Sequence, residues 1–182
     1  MLKSIIFFFI SMTSLSSYST DKVKEIFPQM TRKVEFKILD SVSAEKNNTQ
    51  IFAVYNKKKL LGFVRPISTT TGCNSACLPL NYETFYSAKG DYISLYSEAG
   101  LTKINHEPFS KDDYSRLEIL LAMAPQEFSK ISHPKELTDA ISGATLKDYV
   151  PLVVKGAAYS TLRIHLYNQE TLNFLKDWPR KK

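Results

Sequence analysis

The stretch Gln50-Ile-Phe-Ala-Val-Tyr-Asn-Lys-Lys-Lys-Leu-Leu-Gly-Phe-Val-Arg-Pro-Ile67 decides the fold. Two apolar, β-branched and aromatic runs, Gln50 to Tyr55 and Leu60 to Ile67, flank the polar tetrad Asn56-Lys-Lys-Lys59. Short apolar runs broken by a polar turn predict a β-hairpin, with the three lysines at its tip.

The pattern extends to both sides. From Lys33 to Leu39 the chain alternates, with Val34, Phe36 and Ile38 on one side and Lys33, Glu35 and Lys37 on the other. That is a half-buried strand. Tyr82 to Ser87 and Tyr92 to Ser97 flank Ala88-Lys-Gly-Asp91, a second hairpin with Gly90 supplying the turn. The middle of the chain therefore predicts an antiparallel meander.

The second half turns helical. Ser110 with Asp113 forms a capping box, and Tyr114, Leu117, Leu120 and Leu121 give one apolar face, ending near Met123 before Pro125. A turn or short helix follows His133-Pro134. A helix begins near Ser142 to Thr145 and meets Pro151. Longer helices are predicted from about Gly156 to Tyr167 and from Gln169 to Asp177. Strands first and helices afterwards predict an α+β fold: an antiparallel sheet built from hairpins, with helices packed on one face.

The 182 residues, 43% hydrophobic, suffice for one domain with its own core. At the N-terminus, Lys3 precedes the apolar run Ile5 to Ile10, and Ser17 and Ser19 stand where small residues flank a cleavage site. This predicts a signal peptide over residues 1–19 and a single domain over 20–182; an uncleaved membrane anchor is the alternative. Both place the domain outside the cytoplasm, in the periplasm or an equivalent extracytoplasmic space. No cysteine near this site supports a lipid anchor. The net charge of +6 is spread along the chain without a basic stripe interleaved with stacking aromatics. Nucleic acid is therefore not an expected partner, and an anionic partner or membrane surface stays open.

The segment Asp139-Ala-Ile-Ser-Gly-Ala-Thr145 carries the strongest chemical signal. Ser142, Gly143 and Ala144 at a helix start would leave backbone N–H groups open to an anion such as a phosphate. Gly143 would let the backbone approach it closely, and Thr145 adds a hydroxyl. An ordinary helix start has the same composition and binds nothing.

The segment also resembles the flavinylation motif D-x-x-S-G-A-T of FMN-binding domain proteins, at all five fixed positions. That family includes the flavin subunits of the sodium-translocating NADH:quinone reductase and of the Rnf complex, together with exported electron-transfer proteins. Looser similarity to an exported branch appears in Gly62-Phe-Val64, Gly72-Cys-Asn-Ser-Ala-Cys-Leu-Pro-Leu80, His106-Glu-Pro-Phe-Ser110 and Gly156-Ala-Ala-Tyr-Ser160, so it covers residues 50 to 167. The ETPG-like loop of the respiratory subunits is absent, and Leu101 to Ser110 stands in its place.

The resemblance implies that Thr145 carries FMN through a phosphoester bond. A separate FAD:protein FMN transferase, with a divalent metal, would attach it outside the cytoplasm and release AMP. It implies that Ser142, Gly143 and Ala144 receive the phosphate. Asp139 would repel a phosphate unless a cation or proton intervened; it would serve the transfer reaction, or cap a helix. His106, in the loop Asn105 to Phe109, would line the flavin or stand on the surface. Cys73 and Cys77 leave three readings open: a disulfide staple, a redox-active dithiol, or half of a zinc site. Tyr159 reads as core, His165 as a satisfied helix histidine, and Trp178 as part of the tail.

No nucleophile elbow, paired-carboxylate motif or dinucleotide fingerprint appears. The chain therefore reads as an electron carrier, or redox subunit, between a membrane donor and an exported acceptor. A thiol-disulfide protein using Cys73 and Cys77, or an interaction module of the same fold without flavin, is the alternative.

Overall fold

A computed structural model describes residues 20–38, 49–69, 80–97, 111–130 and 151–178. The elements are α1 (Thr20–Ile26), β1 (Arg32–Lys37), β2 (Gln50–Asn56), β3 (Lys59–Thr69), β4 (Leu80–Ser87), β5 (Tyr92–Ser97), α2 (Lys111–Ala122), α3 (Pro125–Phe128) and α4 (Pro151–Lys176). The strands form one open antiparallel sheet in the order β1-β2-β3-β4-β5. Both predicted hairpins are present. Lys57 turns the first at φ +53° and Gly90 the second at φ +89°, and Lys57, Lys58 and Lys59 are all exposed at the tip.

Strand alternation sorts the core. On one face Ile51, Ala53, Phe63 and Tyr86 cluster with Leu175 of α4, and Ile67, Tyr82 and Leu95 cluster with Leu117, Leu120 and Leu121 of α2 and Ile164 and Tyr167 of α4. On the other face Val54, Val64 and Phe85 cluster with Val23 and Phe27 of the α1 segment. Helices thus lie on both faces of the sheet, which corrects the expectation of one face. The cause is the α1 segment, in which Val23 and Phe27, the residue just past the helix, stand four residues apart and bury on the sheet. β3, buried on both sides from Gly62 to Ile67, is the central strand.

Gly62 shows how tightly α1 sits. A Cβ there would collide with the Tyr86 carbonyl oxygen and lie 2.6 and 2.7 Å from two ring atoms of Phe27. Only a glycine lets the Phe27 ring seat against the β3 backbone at this point. The pairing of β2 with β3 shifts between Val54 and Tyr55, and that of β4 with β5 between Phe85 and Tyr86. The second shift is a bulge that accommodates Ile93, which is exposed.

The two helices expected over Gly156–Tyr167 and Gln169–Asp177 are one continuous helix, α4, of 26 residues. No proline or glycine interrupts it at the expected break, and Ile164, Tyr167, Asn168, Thr171 and Leu175 keep a single buried stripe. Proline occupies the first position of both α3 and α4, where its missing N–H costs nothing. Trp178 is not a loose tail residue. It stacks edge-on against Phe36, Phe63 and Phe174, with ring centroids 4.5, 5.0 and 5.7 Å away. The helices predicted after His133-Pro134 and near Ser142 lie outside the described residues.

Candidate functional site

Each residue singled out for chemistry lies outside the described residues: Cys73, Cys77, His106, Asp139, Ser142, Gly143, Ala144 and Thr145. The side chain of Tyr159 is likewise undescribed. What the structure gives is where the flanking elements stop. Thr69 pairs with Leu80, and Tyr82 pairs with Ser97. The segment with both cysteines therefore leaves and re-enters the sheet at the same end from which residues 98–110, with His106, depart.

α4 runs antiparallel to β3. Leu175 shares a core cluster with Phe63, Arg65 bonds to Tyr167, Glu170 and Thr171, and Ile164 shares a cluster with Ile67. The helix therefore starts toward this same end. From Ile164 it continues about 20 Å to Pro151, at 1.5 Å per residue. The chain that carries Thr145 joins α4 there. We call this end the loop end, and the opposite one, with the β2–β3 and β4–β5 turns, the tip end.

Between the ends lies a buried polar network that sequence analysis passes over. Arg65 has no exposed surface. One guanidinium nitrogen donates to the Tyr167 carbonyl at 2.9 Å and to Thr171 Oγ1 at 2.7 Å, and the other to Glu170 Oε1 at 2.8 Å. Its guanidinium carbon also lies 5.1 Å from the centre of the Tyr167 ring. Thr171 donates to the Tyr167 carbonyl at 2.7 Å, one turn back in its own helix.

The Asn168 amide joins three elements. Its Nδ2 donates to the Leu121 carbonyl at 3.2 Å, which turns Oδ1 toward the Tyr86 hydroxyl, a donor at 2.8 Å. The Thr84 hydroxyl stands 3.1 Å from the same phenol oxygen. Burial pushes the Tyr86 phenol above its usual range, so it stays protonated and serves as a donor. His165 is buried, with Nδ1 3.1 Å from the Leu120 carbonyl. As a neutral imidazole it donates from Nδ1. Burial pushes its pKa below 6.5, against the smaller opposing pull of that carbonyl. The sequence reading of His165 as a satisfied helix histidine holds.

This network fastens α4 to the sheet and to α2. Its acids and bases are sealed and partnered, so it offers a scaffold and not an open acid-base site. The signal for it in the sequence is Arg65, at an inward position between Phe63 and Ile67 where the alternation calls for an apolar residue.

Among the described residues no group of three His, Cys, Asp or Glu side chains could hold a metal. No helix among them is long and apolar enough to cross a membrane. Comparison with family models, with curated proteins and with solved structures finds no match.

Proposed function

We propose that this chain is an exported flavoprotein that carries FMN covalently on Thr145 and relays electrons between a membrane donor and an extracytoplasmic acceptor. One observation carries the reading: Asp139, Ser142, Gly143, Ala144 and Thr145 stand at the spacing of a flavin-attachment motif. Thr145 Oγ1 would form the phosphoester with FMN, and an FAD:protein FMN transferase would release AMP from FAD. Ser142, Gly143 and Ala144 would offer N–H groups and room to the phosphate. Bound flavin supplies reversible electron transfer, and a covalent bond keeps it on a protein that cannot reload it outside the cytoplasm.

The described core is compatible with this arrangement. It is an α+β scaffold whose central strand is covered on both faces, and whose polar interior is consumed in holding α4. Reactive groups would then belong to the segments leaving the loop end. Cys73 and Cys77 depart from that end too, so an exchange of electrons between a flavin and a dithiol fits the same placement.

The deciding experiment is intact mass and visible absorption of the exported protein, produced with the transferase, for wild type and Thr145→Ala. Wild type should gain the mass of one FMN less one water and be yellow, and the variant should show neither. Colourless, unmodified wild type, in cells where a known acceptor is modified, would refute the flavin reading. Cys73 and Cys77 would then be the chemistry to test.

A further inference from the structure

The chain enters the sheet through a plug, a hinge and an anchor. The anchor is Thr31. Its N–H donates to the Tyr55 carbonyl at 2.8 Å, its Oγ1 donates to the same oxygen at 3.1 Å, and that Oγ1 accepts the Lys57 N–H at 2.7 Å. From there β1 pairs with β2 along its whole length, from Arg32 opposite Tyr55 to Lys37 opposite Gln50. The hinge is Pro28-Gln29-Met30, closed by the Met30 N–H on the Phe27 carbonyl at 2.9 Å, with Pro28 and Gln29 exposed. The plug is α1 together with Phe27. Val23 and Phe27 are buried against Val54, Val64 and Phe85, and the Phe27 ring fills the notch left by Gly62.

The plug differs from the other helices in how it is held. Its outer side, Asp21, Lys24 and Glu25, is exposed, so α1 is gripped from the sheet side. At seven residues it is shorter than a helix that persists by itself, and its helical turns depend on docking. The opposite face of the sheet is completed without it. There the core clusters join the strands to α2 and α4, and Arg65 and Tyr86 bond to α4.

We infer that the α1 segment is a strap. It swings on the Pro28–Met30 hinge, releases from the sheet as a unit and docks again, while the sheet, α2 and α4 stay folded. Docking sets the burial of a few side chains against the ordering of a whole segment, so the closed state is favoured only modestly and the open state is populated. Opening uncovers Val54, Val64 and Phe85, flanked by the half-buried Phe52, Leu61 and Tyr96. Closure is specific, because the returning Phe27 ring has a notch at Gly62 that a Cβ would fill. The fold thus carries a reversible cover over an apolar face of its sheet, fixed at one end by Thr31. The inference does not rest on the flavin reading.

The test is amide hydrogen exchange of the full chain, with and without low urea. The Phe27 N–H, bonded to the Val23 carbonyl at 2.8 Å, reports on the strap, and the amides of β3 report on the sheet. After correction for intrinsic rates, the strap amides should exchange at least about 100-fold faster than those of β3, and low urea should speed β3 but not the strap. In Phe27→Ala the strap amides should come within about tenfold of an unfolded peptide, with β3 still at least about 100-fold slower. The inference is overturned if strap and β3 amides of wild type exchange at one rate with one urea dependence, because α1 would then open only with the whole domain. It is equally overturned if Phe27→Ala strips β3 of protection along with the strap, or if that variant fails to fold, since a strap is dispensable to the sheet beneath it.

Discussion

Replacing Arg65 by methionine tests whether the buried network is what fastens α4 to the sheet. The guanidinium is fully buried, and its hydrogen bonds include those to Glu170, Thr171 and the Tyr167 carbonyl. Each bond from a charged donor is worth about 1.5–3 kcal/mol by truncation, and the three are not additive. The Tyr167 carbonyl and Thr171 hydroxyl keep each other after the change, because Thr171 donates to that carbonyl at 2.7 Å. The main loss is the ion pair with Glu170, whose side chain is 11% exposed. Breaking one side of a buried ion pair costs about 3–5 kcal/mol. For a chain of this size that lowers Tm by about 10 °C.

The assay is urea unfolding followed by fluorescence of the single tryptophan, Trp178, which reports directly on the packing of the end of α4 against Phe36 and Phe63. Adding Glu170→Gln to Arg65→Met removes the second charge of the pair and should restore at least about 2 kcal/mol. A loss under about 1 kcal/mol for Arg65→Met, or no recovery in the double variant, would refute the idea that the pair carries this interface.

Two further outcomes are expected. Gly62→Ala should cost about 3 kcal/mol, because the new methyl meets the Tyr86 carbonyl as well as the Phe27 ring. Phe27→Ala in that background should relieve only the ring clash, and a neutral Gly62→Ala in denaturant titration would contradict the close seating of α1. His165 should make stability fall in mild acid. Its folded pKa lies below the unfolded 6.5, so the unfolded chain takes up the proton first as pH drops. The contribution is fully present above pH 6.5 and is lost below it, by up to about 1.4 kcal/mol per pH unit until the folded imidazole titrates. Wild type should therefore lose more stability than His165→Gln between pH 7 and 5, and parallel pH profiles would count against a neutral buried imidazole.

How much could be read from the chain alone follows from the range of each interaction. Strand alternation and turn chemistry are local, so Lys33 to Leu39, the hairpin around Lys57 and the turn at Gly90 were legible, as was the Leu117, Leu120 and Leu121 face of α2. The single helix Pro151–Lys176 was not. Asn168 reads as a break in one dimension, yet in the fold it is buried between Tyr86 and the Leu121 carbonyl and belongs to the stripe. The α1 helix was missed because its seven residues carry only Val23 and Ile26 as apolar side chains, with Phe27 just past its end, and the partners Val54, Val64 and Phe85 lie far along the chain. Trp178 looked like a tail for the same reason.

The sequence by itself determined an antiparallel meander followed by helices, and it alone carries the motif at Asp139 to Thr145 on which the flavin proposal stands. The tertiary structure decided what local pattern does not encode: that helices cover both faces, that Arg65 is spent on holding α4, and that Asn168 ties that helix to both Tyr86 and α2. The physical reason is that periodicity fixes which way a side chain points along its own element. Its burial, its ion-pair partner and its charged neighbours depend on elements that folding brings alongside.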